Sequence, residues 1–66
     1  MKLTINGDPR EMPAPLTVRA LLAALGLGEK PVVVELNKRA LFPREFADTE
    51  LAEGDAVEIV QITAGG

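Results

Sequence analysis

Few residues of this chain can do covalent chemistry. The sequence contains no Cys, His, Ser, Tyr or Trp. Without Ser and Cys the common nucleophiles are missing, and without His the usual general base is missing as well. The lack of Cys and His also removes the usual ligands of zinc and of iron–sulfur clusters. Most enzyme classes are therefore disfavoured, and the carboxylate of Gly66 is the best remaining candidate for a reactive group.

The two glycines that close the sequence, Gly65 and Gly66, suit a carboxylate that enters a narrow channel of another protein. Glycine has no side chain, so such a tail is thin and conformationally free. A carboxylate must be activated before a nucleophile replaces its oxygen, for example as an acyl-adenylate made with ATP. Sulfide could then displace the adenylate and leave a terminal thiocarboxylate. Glycine is also common at loose chain ends, and the pair alone leaves both interpretations open.

Composition and charge predict one small folded domain over residues 1–66. The 66 residues are 47% apolar, 26% charged and 3% aromatic. At this length the core is thin. The net charge of −3 disfavours nucleic-acid binding, which needs a basic face. The polar start disfavours a signal peptide, and no apolar run reaches the ~20 residues of a membrane span. We therefore expect a cytoplasmic protein with no nucleic-acid or membrane partner.

The pattern of apolar residues predicts a two-layer α+β domain. One helix cannot bury its apolar stripe alone, so we expect a mixed sheet of four to five strands curled around it. The predicted strands cover 2–5, 10–12, 32–36, 40–42 and 56–63, the helix covers 18–25, and a turn or short helical segment lies within 43–50.

Local signals support these boundaries. Asn6-Gly7 favours a tight hairpin, because both residues tolerate a positive φ. Thr17 is a predicted helix N-cap, and apolar residues then recur at i, i+3, i+4 and i+7 within 18–25. Gly26 is expected at the left-handed position that ends the helix.

Alternation within the strands predicts which side chains are buried. Leu3 and Ile5 should face inward. The valine run at 32–34 suggests a strand that is covered on both faces. Phe46 and Leu51 are further expected core residues.

The last strand changes phase. Val57 and Ile59 lie in one phase, whereas Val60 and Ile62 lie in the other. The second pair either packs under the sheet, which is the more common outcome, or forms an exposed apolar surface for a partner. Glu58 is a further candidate for partner binding, since it could meet a basic groove; the alternative is a solvated strand face.

Several short segments, in a fixed order, are together typical of one family. They are Ile5-Asn6-Gly7, Leu16-Thr17-Val18 with Leu21-Leu22, Val32–Asn37, Pro43-Arg44, Leu51 before Gly54-Asp55, Val57-Glu58-Ile59 and Ile62–Gly66. With them, the whole chain resembles the ThiS family, the sulfur carriers of thiamin thiazole biosynthesis, within the ubiquitin-like β-grasp superfamily.

The resemblance implies a β-grasp fold and a carrier role without enzymatic activity or a bound cofactor. It implies that an E1-like adenylyltransferase uses ATP and magnesium to adenylate Gly66. A sulfur donor such as a cysteine desulfurase then supplies the thiocarboxylate sulfur, which is delivered to thiazole synthase. Gly66 would carry the sulfur, Gly65 and Ala64 would form a flexible tail, and the free protein would be a monomer.

Three other interpretations remain. The small subunit of molybdopterin synthase shares the fold and the Gly-Gly end, but its members tend to be longer and richer in aromatic residues near the tail. The stretch from Asn37 to Pro43-Arg44 also favours the thiazole pathway. A ubiquitin-like modifier or interaction module would use the same fold without sulfur. A small enzyme that relies on Asp or Glu is the third.

Overall fold

A curled sheet and one helix make up the fold of the computed structural model, which describes residues 1–63. The strands are β1 (Lys2–Ile5), β2 (Asp8–Glu11), β3 (Val32–Leu36), β4 (Arg39–Leu41) and β5 (Ala56–Gln61). The helix α1 spans Val18–Ala24, and a single 3-10 turn spans Pro43–Glu45. The predicted order of elements is confirmed, including the short helical segment within 43–50.

The five strands form one mixed sheet in the order β2-β1-β5-β3-β4. β1 and β5 run parallel, with Thr4 opposite Ala56 and Ile5 opposite Val57. The other neighbouring strands are antiparallel. The predicted α+β class and mixed sheet are therefore confirmed, and the last strand of the described chain lies at the centre of the sheet.

The helix begins and ends where its capping residues predict. The Thr17 hydroxyl accepts a hydrogen bond from the Ala20 N–H at 3.1 Å, as an N-cap should. Gly26 adopts a φ of +76°, and its N–H donates to the Ala23 carbonyl, which closes the last turn. The helix ends one residue before the predicted boundary.

The core lies between α1 and one face of the sheet. Its buried residues are Leu3, Ile5, Leu16, Val18, Leu21, Leu22, Val34, Phe46, Leu51, Val57 and Ile59. Three backbone hydrogen bonds attach the 46–51 segment to residues 16–19 at the start of the helix: Val18 N–H to Thr49 O at 2.9 Å, Arg19 N–H to Phe46 O at 3.0 Å, and Leu51 N–H to Leu16 O at 2.8 Å. The predicted core positions of Phe46 and Leu51 are confirmed.

Strand boundaries differ from the predicted ones by one or two residues. β2 begins at Asp8 rather than at residue 10 and includes Pro9, which an edge strand tolerates because the missing N–H need not pair. β4 covers 39–41 instead of 40–42, and β5 ends at Gln61 rather than at residue 63. Asn6 and Gly7 adopt φ values of +50° and +86°, so the predicted hairpin turn is confirmed.

One prediction about burial is wrong, because the helix covers only one face of the sheet. Val33 is 44% exposed, so the valine run is not covered on both sides. Val60 and Ile62 are 62% and 51% exposed, so of the two alternatives for this pair the exposed one holds. Among residues 1–63, no helix is long and apolar enough to cross a membrane.

Candidate functional site

The central strand β5 leads directly to the predicted reactive tail. Ala64, Gly65 and Gly66 lie outside the described residues, so their predicted roles stay predictions. The described part of the site is the end of β5 and the surfaces around it. Past the strand, the Ile62 N–H still donates to the Pro31 carbonyl at 2.9 Å, which holds the chain against the segment before β3.

The side chain of Asn6 extends the hydrogen-bond ladder between β1 and β5. Backbone bonds run from Thr4 N–H to Asp55 O and from Asn6 N–H to Val57 O. β1 then turns away, and the Asn6 amide takes the place of the next peptide group. Its Nδ2 donates to the Ile59 carbonyl at 3.1 Å, and its Oδ1 accepts from the Ile59 N–H at 2.7 Å. The strand is thus held two residues further towards the tail than β1 alone would hold it.

Asn37, in the β3–β4 turn, fixes the beginning of β5 from the opposite side. Its Oδ1 accepts from the Ala56 N–H at 2.9 Å, and its backbone N–H donates to the Ala56 carbonyl at 2.8 Å. Its Nδ2 donates to the Asp55 carboxylate at 3.0 Å, and that carboxylate also accepts from the Ala52 N–H. The first residue of β5 and a residue in its second half are therefore each held by an asparagine from a hairpin turn.

The sheet face opposite the helix is partly apolar next to the tail. Val33 and Val60 are directly opposite in the β3–β5 ladder, and both are exposed. Phe42, which follows β4, is 59% exposed, and the Arg44 guanidinium carbon lies 4.7 Å from the centre of its ring. We call Val33 and Val60 the open-face patch.

Two carboxylates continue this face away from the tail. Glu35 is directly opposite Glu58, two positions along the ladder from the Val33–Val60 pair, and therefore shares its face. Like charges at directly opposite positions destabilise a sheet. Neither carboxylate has an ion-pair partner within residues 1–63. A cationic partner would relieve this repulsion, and the open-face patch beside it would supply apolar contact.

Ile62 belongs to a different surface from Val60. It lines a groove of about 440 Å³ between the helix, the segment before β3 and the 3-10 turn, together with Leu22, Leu27, Pro31, Pro43 and Phe46. We call this the Ile62 groove. The structure therefore places Val60 and Glu58 on one sheet face and Ile62 in a groove at the end of the sheet.

The sequence-based search missed the roles of Asn6 and Asn37. Both were assigned to turns, which is where they lie. Their side chains, however, bond to residues 53 and 18–19 positions away in the chain. A hairpin signal involves only neighbouring residues, so it does not predict contacts between residues that are this far apart in the sequence. Among residues 1–63, no group of three or more carboxylates is placed to hold a metal ion.

Comparisons with known proteins agree with this architecture over the full chain. Residues 3–66 match the sequence model of the ThiS family. The chain is 37% identical over 62 residues to the sulfur carrier protein ThiS of Thermus thermophilus, covering 94% of this chain and 95% of that protein. The crystal structure of the thiamine biosynthesis protein ThiS from Geobacter metallireducens superposes with a TM-score of 0.85 at 39% identity, and the match covers 100% of both chains.

A second group of relatives is much longer. The chain is 41% identical over all 66 residues to a protein named thiazole synthase in Paramagnetospirillum magneticum. It spans only 20% of that protein, and the same share of the Magnetococcus marinus thiazole synthase.

A mixed five-stranded sheet with one helix across one face, and with the last strand at its centre, defines a ubiquitin-like β-grasp domain. The family match over 3–66 and the full-length likeness to ThiS proteins then place the chain within that class. It belongs to the ThiS family, so the resemblance seen in the sequence is confirmed.

Proposed function

We propose that this ThiS-family chain carries sulfur for thiamin thiazole biosynthesis as a thiocarboxylate on Gly66. The observation that carries the proposal is the match to the family over residues 3–66, which includes the Gly65-Gly66 pair. The sulfur carrier of Thermus thermophilus, similar over nearly its whole length, supports the same role. The chain acts as a carrier and as a co-substrate of other enzymes, in the cytoplasm and as a monomer when free.

The chemistry proceeds in two displacements on the tail. An E1-like adenylyltransferase with magnesium and ATP joins a Gly66 carboxylate oxygen to the α-phosphorus, and pyrophosphate leaves. Sulfide, which a thiol reductant releases from the persulfide of a donor such as a cysteine desulfurase, then attacks the acyl carbon, and AMP leaves with its oxygen. The product is the thiocarboxylate, whose sulfur passes to thiazole synthase. The lack of Cys, Ser and His in the chain fits a scheme in which the partners supply the catalytic groups.

The surfaces around β5 supply the recognition in this scheme. Val60 on the open-face patch and Glu58 beside it contact the activating enzyme, which presents an apolar and cationic surface in return. The two asparagines hold residues 56–59 of β5 in a fixed position relative to that face. The matches to thiazole synthases support thiazole synthase as the acceptor, because a similar domain makes up one fifth of those chains.

Intact-mass measurement tests the proposal. The chain is incubated with ATP, magnesium, sulfide and a ThiS-activating enzyme whose ATP–pyrophosphate exchange has been verified. We expect a mass gain equal to the replacement of one oxygen by sulfur, located at Gly66 by fragmentation. The matched control is the same chain with a C-terminal carboxamide, made by semisynthesis, which should gain nothing.

The contrary results are equally specific. No mass gain on the unmodified chain with a verified enzyme would overturn the carrier role. Isopeptide conjugates of Gly66 with lysines of other proteins would then indicate a ubiquitin-like modifier. A thiocarboxylate that forms but is used only by molybdopterin synthase would retain the chemistry and change the pathway.

A further inference from the structure

The Ile62 groove combines an apolar floor with cationic sides. Leu22, Leu27 and Phe46 form the floor, and Pro31 and Pro43 contribute rigid walls. Its volume of about 440 Å³ lies within the usual range of ligand sites, about 300–1,000 Å³. The groove is thus large enough to receive apolar side chains.

The charged residues that line the groove are Arg19 and Lys30, both cations. This sign is opposite to that of the whole chain, whose net charge is −3. Both residues are exposed, and neither forms an ion pair within the part of the chain that the structure describes. Glu29 precedes Lys30 but does not line the groove. Exposed charges act over about 8–10 Å in physiological salt, so the more distant carboxylates of the chain are largely screened from the groove.

The position of the groove links it to the tail. Ile62 lies on its wall and is followed within four residues by Gly66. Its cations also contrast with the unpaired Glu35 and Glu58 on the open face. Basic residues that suit the open face would be repelled by the cations of the groove. The groove therefore favours an acidic occupant.

We propose that the Ile62 groove binds an acidic peptide segment that inserts apolar side chains, supplied by a protein that acts on the tail. Carboxylates of the segment pair with Arg19 and Lys30, and its leucine-like side chains lie over Leu22, Leu27 and Phe46. The carrier thereby has two docking surfaces of opposite charge, one on the open face of the sheet and one in the groove that Ile62 lines. The identity of the partner in this inference rests on the proposed function, whereas the chemistry of the groove does not.

Binding of a defined peptide tests the groove itself. The full chain, labelled with nitrogen-15, is titrated with the probe acetyl-Asp-Leu-Glu-Leu-Asp-amide and with the same peptide carrying Lys at the three acidic positions. We expect amide shifts at 27–30, Val32, Phe46 and Ile62 with the acidic probe alone. Shifts confined to the open face, or equal shifts with both peptides, would overturn the proposal.

A matched pair of charge reversals locates the contact. Arg19→Glu with Lys30→Glu should weaken binding of the acidic probe at least about tenfold. Arg10→Glu with Arg39→Glu makes the same change in net charge at exposed positions outside the groove and should leave binding nearly unchanged. Equal weakening by both pairs would overturn the proposal. If the groove reversal impairs folding, Arg19→Gln with Lys30→Gln replaces it.

The functional part is tested separately with the loaded carrier. The variant with Arg19→Glu and Lys30→Glu should raise the KM for sulfur transfer to thiazole synthase, or for adenylation, while kcat stays near its original value. An unchanged KM in both reactions would overturn the role in docking. If the unmodified chain forms no thiocarboxylate at all, the proposed function fails, whereas the peptide titration still decides whether the groove binds acidic segments.

Discussion

Asn6 shows how one side chain replaces a missing length of strand. β1 ends at Ile5, yet the amide of Asn6 offers Ile59 the same donor and acceptor that another β1 peptide group would offer. The positive φ of this residue lets the chain turn while its side chain stays aligned with β5. Asparagine combines both properties, since it tolerates left-handed backbone better than most residues and carries an amide.

Replacing Asn6 with Gly isolates the side-chain contribution, because glycine adopts the same positive φ without strain. The part-buried Ile59 peptide group would lose both partners, so we expect the free energy of unfolding to fall by about 1–3 kcal/mol in urea denaturation. Lys38→Gly is the matched control, at another positive φ but with no side-chain hydrogen bond in the described structure. Equal losses in both variants would contradict the role of the amide.

At the scale of elements, local patterns predicted the helix and the strands well. Thr17 and Gly26 bracket α1 because capping depends on residues only a few positions apart. The prediction for Val33 is wrong, and the alternatives for Val60 and Ile62 stayed open, because the sequence of a strand does not show whether a second layer covers its apolar side chains. The asparagine contacts were missed for the related reason that strand order is not written in local sequence.

The Glu35–Glu58 pair between β3 and β5 is expected to lower the free energy of unfolding. Glu58→Lys turns a repulsive cross-strand pair into an attractive one, so we expect a gain in stability of about 0.2–1 kcal/mol. The same variant should slow association with the activating enzyme, measured by stopped-flow at low salt, and weaken its salt dependence.

Glu35→Lys is the matched control for this prediction. It restores the same cross-strand attraction from the other strand, and its effect on stability should be similar. A loss of stability in both variants would contradict the repulsion, whereas an unchanged association rate for Glu58→Lys would contradict docking at this face.

At the scale of the whole molecule, the core and the exposed apolar and acidic residues lie on different sides of one small sheet. The side under the helix holds the core, and the other side holds the open-face patch and the acidic pair. A domain of this size buries little apolar area, so each apolar side chain left exposed is a loss of possible stabilisation. An exposed apolar pair near the end of β5 is therefore expected to be covered by a partner.

Acidic substitutions test whether an apolar residue of β5 and its extension contributes to partner binding or to stability. Val60→Asp and Ile62→Asp should change the free energy of unfolding by less than about 1 kcal/mol, because both side chains are largely exposed. Both should strongly reduce thiocarboxylate formation under the intact-mass assay. Ile59→Asp, on the same strand but 7% exposed, is the control that should unfold the domain. Full activity of the two exposed variants would contradict partner contact there.

The Asn6 contact also affects how the domain bears a mechanical load. A pull on the Gln61 end of β5 against the Lys2 end of β1 runs along both strands, since they are parallel neighbours. The backbone bonds between β1 and β5 and the Asn6 bridge lie across that direction and would be sheared together rather than opened one after another. The fold thus resists tension that is applied along its last strand.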